Sequence, residues 1–522
     1  MSDYLAKKEL HALPLALIAI STILGSGWLL APGFVFSQAG TYGIYSWIIA
    51  FLMILLIALC FAETCSMIPR DGSTTVLPRI THGYLVSSIF GVLSWLSWLA
   101  LVPIEAQATI QYLSHFYPNL IYANSHLTGN GKIVIILLII SISIINYFSI
   151  KWVSWLNKYL FITIKIGVPL CVIIYGAYAS LHIPRHEIIH SHSVRGIFSA
   201  IPLGIIFAFN GFKSVCTNAG RAKNPAYAIP FALFISLLVC LLLYVLLQFT
   251  YNINATASLI ASNIRPFADM IYNTKTPLVD VLIFILYVGA VTSPYAANIF
   301  NLSSSNTAVY RSAKFGYIPS LFKHKNRFKT YHLALFFNTI ISLIIALFLG
   351  QGWGKMVNNL TSIMMVNYTV GPLCLLSLRY QHPDFIRTFK LPFGLVFSVL
   401  AFIVANFMIY WCGWDAIRYF LGAAIIGAAF TIIYHGFVQK KHMPLDFRYS
   451  IWMWVWFIGI GVISYYGSYG DGRGVLSGIS ALIVIGVFSI IIILWSLISK
   501  LPIDQSNYEL KSLDEPLPAS VK

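Results

Sequence analysis

An all-α integral membrane protein of about fourteen transmembrane helices is the fold this sequence predicts. Three observations carry it: an apolar composition, repeated stretches of membrane-crossing length, and an uneven distribution of basic residues between them. Hydrophobic residues make up 58% of the 522-residue chain and charged residues 9%. A soluble domain of that size with so few charges has no means of hydrating its surface, so the bilayer is the expected solvent.

A helix needs roughly 20 mostly apolar residues to cross about 30 Å of hydrocarbon. Fourteen stretches meet that need, near residues 14–36, 41–68, 88–114, 132–149, 153–181, 196–218, 229–250, 278–310, 331–350, 355–379, 391–411, 418–438, 449–466 and 475–499; they are numbered below as segments 1 to 14. They leave no room for a sizeable soluble domain. Met1 to Leu10 is polar, carries Lys7 and Lys8, and runs into segment 1 without a small-residue cleavage site, so segment 1 is expected to stay in the protein.

Fourteen crossings put both termini on one side and divide the loops into two sets. The set containing the termini holds 23 Lys and Arg, the other eight. By the positive-inside rule both termini are expected in the cytoplasm. The net charge of +17 is spread over short loops and is densest from Arg311 to Lys329, a pattern that fits orientation and anionic lipid and not nucleic acid. The seven cysteines lie in or beside apolar segments with no metal-ligand spacing, and His182, His186, His190 and His192 share one loop without a helical i, i+4 pair. Neither a metal nor a cofactor is expected. Trp452, Trp454 and Trp456 fall near the start of segment 13 and are expected as interfacial anchors.

Hydrocarbon offers no partner to a bare backbone N–H or C=O, so an interrupted helix is kept only where it lines a cavity or binds something. Segment 1 is interrupted by Ile23-Leu24-Gly25-Ser26-Gly27-Trp28, with Pro32-Gly33 following. On its own this pattern reads equally as close helix packing through small residues. Segment 6 changes the balance, because Phe207-Ala208-Phe209-Asn210-Gly211-Phe212-Lys213 sets an Asn, a Gly and a Lys inside an apolar helix five segments later. Two breaks so spaced are the mark of an inverted repeat, in which half-helix N-termini hold an anionic group and freed carbonyls hold a cation. An amino acid zwitterion suits both ends.

These motifs resemble the amino acid–polyamine–organocation (APC) permeases. So do Ala219-Gly220-Arg221-Ala222-Lys223-Asn224-Pro225, the run Ala62-Glu63 to Met67-Ile68-Pro69-Arg70-Asp71-Gly72, and Ser303-Ser304-Ser305 leading into Ala313-Lys314-Phe315-Gly316-Tyr317-Ile318-Pro319, in order over roughly residues 10 to 440. Gly-Ser-Gly-Trp, Pro103-Ile104-Glu105-Ala106 and Ser464-Tyr465-Tyr466-Gly467-Ser468-Tyr469-Gly470 look most like the bacterial aspartate–proton symporters of that family, which carry two extra C-terminal spans. Two positions depart from the family pattern. Arg221 stands where a glutamate is usual, and Lys213 where glutamate or glutamine is common.

The resemblance implies a leucine-transporter-like 5+5 inverted repeat with discontinuous helices 1 and 6. Its core would cover 14–380, as repeats of about 14–181 and 196–379, with a cytoplasmic N-terminus at 1–13, four further helices at 391–499 and a cytoplasmic tail at 500–522. The implied activity is not enzymatic. It is import of an amino acid, acidic by preference, with protons across a bacterial inner membrane. The implied substrate contacts are Gly25, Ser26, Gly27, Phe207, Ala208, Phe209, Gly211 and Lys213, with Phe209 weighed equally as a lid and as packing.

Ionisable side chains at membrane depth cost about 2.5–3.5 kcal/mol on insertion scales and are usually paired or functional. Lys165 in segment 5 matches the lysine with which some proton-coupled relatives fill a sodium site; it reads as a proton carrier or as a strut against segment 1 carbonyls. Glu105 in segment 3 reads as a coupling or gating group, or as half of a structural ion pair with a lysine. Lys213 reads as a substrate contact or as a lysine snorkelling to headgroups. Glu63, near Arg70, reads as an inner gate or loop anchor. A nucleotide-driven pump is excluded, since Gly-x-x-x-x-Gly-Lys-Ser/Thr is absent. An exchanger of amino acids or amines on the same fold and a non-transporting nutrient sensor are the alternatives.

Overall fold

The computed structural model describes residues 10–148, 162–181, 188–189, 191–262, 264–273, 278–439 and 447–513. Among them β-pairing is limited to isolated bridges such as Leu10 with Ala222, and helices make up the rest of the framework. That follows from the solvent, because a helix satisfies its own backbone within one segment.

Among the described residues ten helices are long and apolar enough to cross a membrane: Gly43–Met67, Tyr84–Leu113, Gly129–Phe148, Ile162–Ala179, Pro225–Ile253, Val279–Lys314, Trp353–Gln381, Gly394–Trp411, Gly413–Phe437 and Gly478–Ile498. Segment 1 adds an eleventh as the bent pair Ala12–Ile23 and Gly27–Ala39. The expected fourteen includes three more, which form shorter apolar helices at Ile201–Thr217, His332–Phe348 and Ile451–Tyr466. At about 1.5 Å per residue these fall just short of the hydrocarbon thickness.

Among the described residues, loops meet at two ends of the bundle. At one end Leu10 exchanges backbone hydrogen bonds with Arg221 and Lys223, the Gly72 N–H donates to the Thr217 carbonyl, and the Leu501 N–H donates to the Thr81 carbonyl. At the other, Thr41 bonds Ser191, Ile189 bonds Ala255, and Arg195 reaches the Ser468 carbonyl. Leu10 and Leu501 therefore lie at the same end of the bundle.

Two features were not legible in advance. A ten-residue helix, Ser73–His82, lies in the loop between segments 2 and 3 and is buried along its length. Three of the C-terminal helices are tied to one another: Asn406 of segment 11 donates to Ser489 of segment 14 at 3.0 Å and accepts from Trp456 of segment 13 at 2.8 Å. Trp452 and Trp456 are therefore not interfacial anchors. One helical turn apart, they share the inward face and are fully buried, while Trp454 between them is only partly covered.

Candidate functional site

The interruption in segment 1 falls where the sequence is poorest in helix formers. Ala12–Ile23 ends at Leu24, Gly27–Ala39 restarts after Ser26, and the axes bend by 53°. The restarted helix leaves amides without intrahelical partners, and these attract negative charge. The chain itself supplies it: the Ser26 N–H donates to Oε2 of Glu105 at 2.7 Å. Glu105 comes from segment 3 and is 3% exposed, and a β-carbon at Gly25 would collide with its carboxylate. Glu105 thus meets an amide rather than a lysine, which corrects the ion-pair reading.

The freed carbonyls are matched one by one. Lys165 donates from Nζ to the Ser21 carbonyl at 2.5 Å. Ser293 of segment 8 directs its hydroxyl at the Leu24 and Gly25 carbonyls, 2.8 and 3.1 Å away, and accepts from Trp28 at 3.2 Å. The Tyr244 hydroxyl of segment 7 lies 3.1 Å from the carbonyls of both Ile23 and Ala208, joining the two interrupted segments. The Ser26 hydroxyl accepts from the indole of Trp353 at 2.8 Å.

Segment 6 breaks earlier than expected. Its non-helical residues are Leu203 and Gly204, the latter at φ 134° and ψ −30°, and not Phe207–Lys213. Pro202 removes one amide from the helix, and Gly204 adopts a backbone that side chains disfavour. Beyond it the chain runs helically through Phe207 and Phe209 and tightens to a 3-10 turn at Asn210–Phe212. The two segments cross at contact. A β-carbon on Gly27 would lie 2.7 Å from that of Ala208, and one on Gly211 would strike the Thr22–Ile23 backbone. Gly27, Ala208 and Gly211 are thus occupied in close helix packing.

Phe207 and Phe209, two residues apart, point about 200° apart round the helix. Phe209 packs among Trp47, Phe51 and Tyr244, with ring centroids 5.9, 6.5 and 5.3 Å away, which favours packing among its two readings. Phe207 faces the break instead, edge to face with Trp353 at 5.4 Å.

Lys213 is 2% exposed and does not snorkel. Its ammonium donates to the Ser97 hydroxyl at 3.2 Å and sits over the rings of Trp98 and Tyr368 at 5.2 and 5.3 Å. Tyr368 donates to Asn210 Oδ1 at 3.0 Å, which leaves the buried Asn210 Nδ2 without an acceptor; the Ser214 hydroxyl beside it is also unpartnered. Donors outnumber acceptors there, an arrangement suited to an anion.

Glu63 ties down a loop remote in sequence. Its carboxylate accepts from Arg379 at 2.6 and 3.0 Å and from the Leu391 N–H at 2.7 Å, with Arg387 at 3.4 Å. The proximity of Arg70 in sequence was misleading, because both ion pairs of Glu63 run to the stretch between segments 10 and 11. Asp71, not singled out from sequence, occupies the gate-like position. It accepts from the Gly220 N–H at 3.1 Å and lies 3.8 Å from Arg311, joining the ends of segments 2, 6 and 8. Burial raises its carboxyl above the usual range, against the pull of Arg311 and Arg221. Of the loop histidines only His192 lies among the described residues, its ring 5.2 Å from that of Tyr42. Sequence reasoning also missed Ser293, Tyr244 and Trp353. Ser293 before Pro294 and Tyr244 within Leu241-Leu242-Leu243-Tyr244 were visible as polar atoms in apolar runs, though nothing in sequence gave their partners.

The family described as "Amino acid permease" matches residues 10–438. A glutamate/serine transporter, AimA, of Bacillus subtilis (strain 168) is 29% identical over 509 residues, covering 94% of this chain and 93% of its own. An aspartate-proton symporter of the same organism is 27% identical over 520 residues, covering 96% and 98%. A branched-chain amino acid permease, BcaP, also from that organism, is 29% identical over 465 residues, covering 84% and 95%.

Proposed function

This chain belongs to the amino acid permease family, and on that premise we propose that it imports acidic amino acids together with protons by alternating access. It is a multi-pass membrane protein and a permease, not an enzyme. In this reading the chain crosses the membrane fourteen times, with a 5+5 inverted core over about 14–181 and 196–379, four further helices at 391–499, and both termini in the cytoplasm of a bacterial cell.

One observation carries the coupling: the chain's own carboxylate occupies the amide that a substrate carboxylate needs. Glu105 sits on the Ser26 N–H at 2.7 Å, buried. While Glu105 is ionised it competes with the substrate for that amide. A proton on Glu105 neutralises the competitor and frees the half-helix N-terminus, so proton and amino acid bind together. Lys165, donating to the Ser21 carbonyl of the same break, is the second proton-coupling group beside Glu105. The acidic preference is supported by the substrates of two relatives, glutamate/serine and aspartate, and by the ammonium of Lys213 near the unpartnered amide of Asn210.

The test is uptake of single radiolabelled amino acids into proteoliposomes, with and without an inward proton gradient. Gradient-driven accumulation of aspartate or glutamate, lost in Glu105→Gln, is expected. Uptake only into vesicles preloaded with an amino acid or amine would replace symport by exchange and leave Lys165 a strut. No flux of any amino acid would remove the transport reading.

A further inference from the structure

After segment 14 the chain does not leave the surface. Leu501 hydrogen-bonds the Thr81 carbonyl at 2.8 Å, and a helix, Ile503–Ser512, then lies across the end of the bundle where Leu10 and Leu501 lie. Its contacts are specific and distributed. Glu509 takes Arg79 Nε at 2.6 Å, with Arg79 only 4% exposed; Ser506, fully buried, meets His382 Nε2 at 2.8 Å; and the Leu513 carbonyl accepts from Lys314 at 3.2 Å. Gln381 binds the Thr81 and Leu501 carbonyls together, at 3.1 and 2.8 Å. Three partners far apart in sequence are thereby held at once: the buried helix Ser73–His82, the end of segment 8 and the end of segment 10.

Those partners also meet the lower ends of segments 6 and 8. Immediately before Ser73–His82, Gly72 and Asp71 are hydrogen-bonded to Thr217 and Gly220 at the lower end of segment 6, and Asp71 faces Arg311 of segment 8. Arg79 also binds the Phe315 carbonyl and stacks on the Phe315 ring at 4.8 Å. Contacts therefore run without a gap from the tail helix through Ser73–His82 to the lower half of segment 6. A plain anchor for segment 14 needs none of these cross-bundle bonds.

We propose that Ile503–Ser512 is an autoinhibitory strap that latches the cytoplasmic gate shut, with Glu509–Arg79 as its catch. The strap rests on the alternating-access reading above and adds a brake to it. Opening the gate requires the catch to release, so weakening the catch speeds the inward-open excursion.

The test uses the full-length protein with Cys216 as its sole cysteine, a residue 1% exposed at the lower end of segment 6. Glu509→Gln is expected to raise the rate of Cys216 alkylation by a permeant maleimide about fivefold, the lower end of couplings between linked sites. Uptake should rise with it. Ser506→Ala, which removes a different strap contact, should act in the same direction. Alkylation unchanged in both variants, at thermal stability equal to the parent's, overturns the strap. Slower uptake with unchanged alkylation also overturns it, leaving a structural anchor. The labelling needs no substrate, so failure of the transport reading would show separately, as a parent protein that labels but carries no amino acid.

Discussion

The two interrupted segments solve the same problem in opposite ways. At Gly25–Ser26 the exposed backbone is answered by polar groups from four other segments: Glu105, Lys165, Tyr244 and Ser293. At Leu203–Gly204 the answer is steric. Pro202 removes a donor, and Gly204 packs its bare Cα against Ala31 and Trp353. The first break is therefore a chemical site and the second a shaped bend that brings Phe207 to it. Two breaks in one bundle need not share a task.

The sharpest way to break that comparison is to remove the charge at the first site. Glu105→Ala leaves the buried Ser26 amide without its charged acceptor, a loss of about 1–3 kcal/mol. Gradient-driven accumulation should fall at least about a hundredfold in proteoliposomes. If accumulation persists, the carboxylate is not the coupling group.

Lower in segment 6, Lys213→Ala should raise KM for aspartate or glutamate about tenfold or more while changing neutral amino acid uptake little, by loss of a charge-assisted contact of about 1.5–3 kcal/mol. Parallel loss for both classes would make Lys213 a folding or gating residue.

At the second break the expected effect is on stability rather than on coupling. Gly204→Ala forces a side chain into a disfavoured backbone and should cost about 1–2 kcal/mol, seen as a lower melting temperature in detergent, with the proton dependence of the remaining uptake unchanged. Altered coupling in this variant would mean that both breaks share the chemistry after all.

The smallest effect separates the two aromatics. Phe209→Leu should cost under about 1.5 kcal/mol of stability and leave KM alone, whereas Phe207→Leu, at the edge of Trp353 and Ser26, should raise KM. Equal KM changes would put both rings in the binding site.

Much of the molecule follows from sequence because membrane physics is local. Apolar stretches of crossing length give the helices, and Gly25-Ser26-Gly27 marks a break that the bilayer tolerates only when it is occupied. The ordered motifs from segment 1 to segment 8 were enough to identify the permease family. The second break was within reach: Pro202-Leu203-Gly204 states it more directly than the Asn210-Gly211 run that drew attention.

What only the tertiary structure decided is which group answers which. A buried carboxylate is attracted equally by a lysine or a helix N-terminus, so sequence left Glu105 open; the packing of segment 3 against segment 1 gave it the Ser26 amide. Glu63 had Arg70 seven residues away and found Arg379 more than three hundred residues on, because adjacency along a helix axis is not adjacency across a bundle. Phe207 and Phe209 were indistinguishable by composition, and their roles divided only once the bend at Gly204 fixed which face of a short helix met the break. Sequence determined the solvent, the helices and the family, since each depends on residues close together in the chain. Partnership across the bundle depends on contacts hundreds of residues apart, and those exist only once the helices have packed.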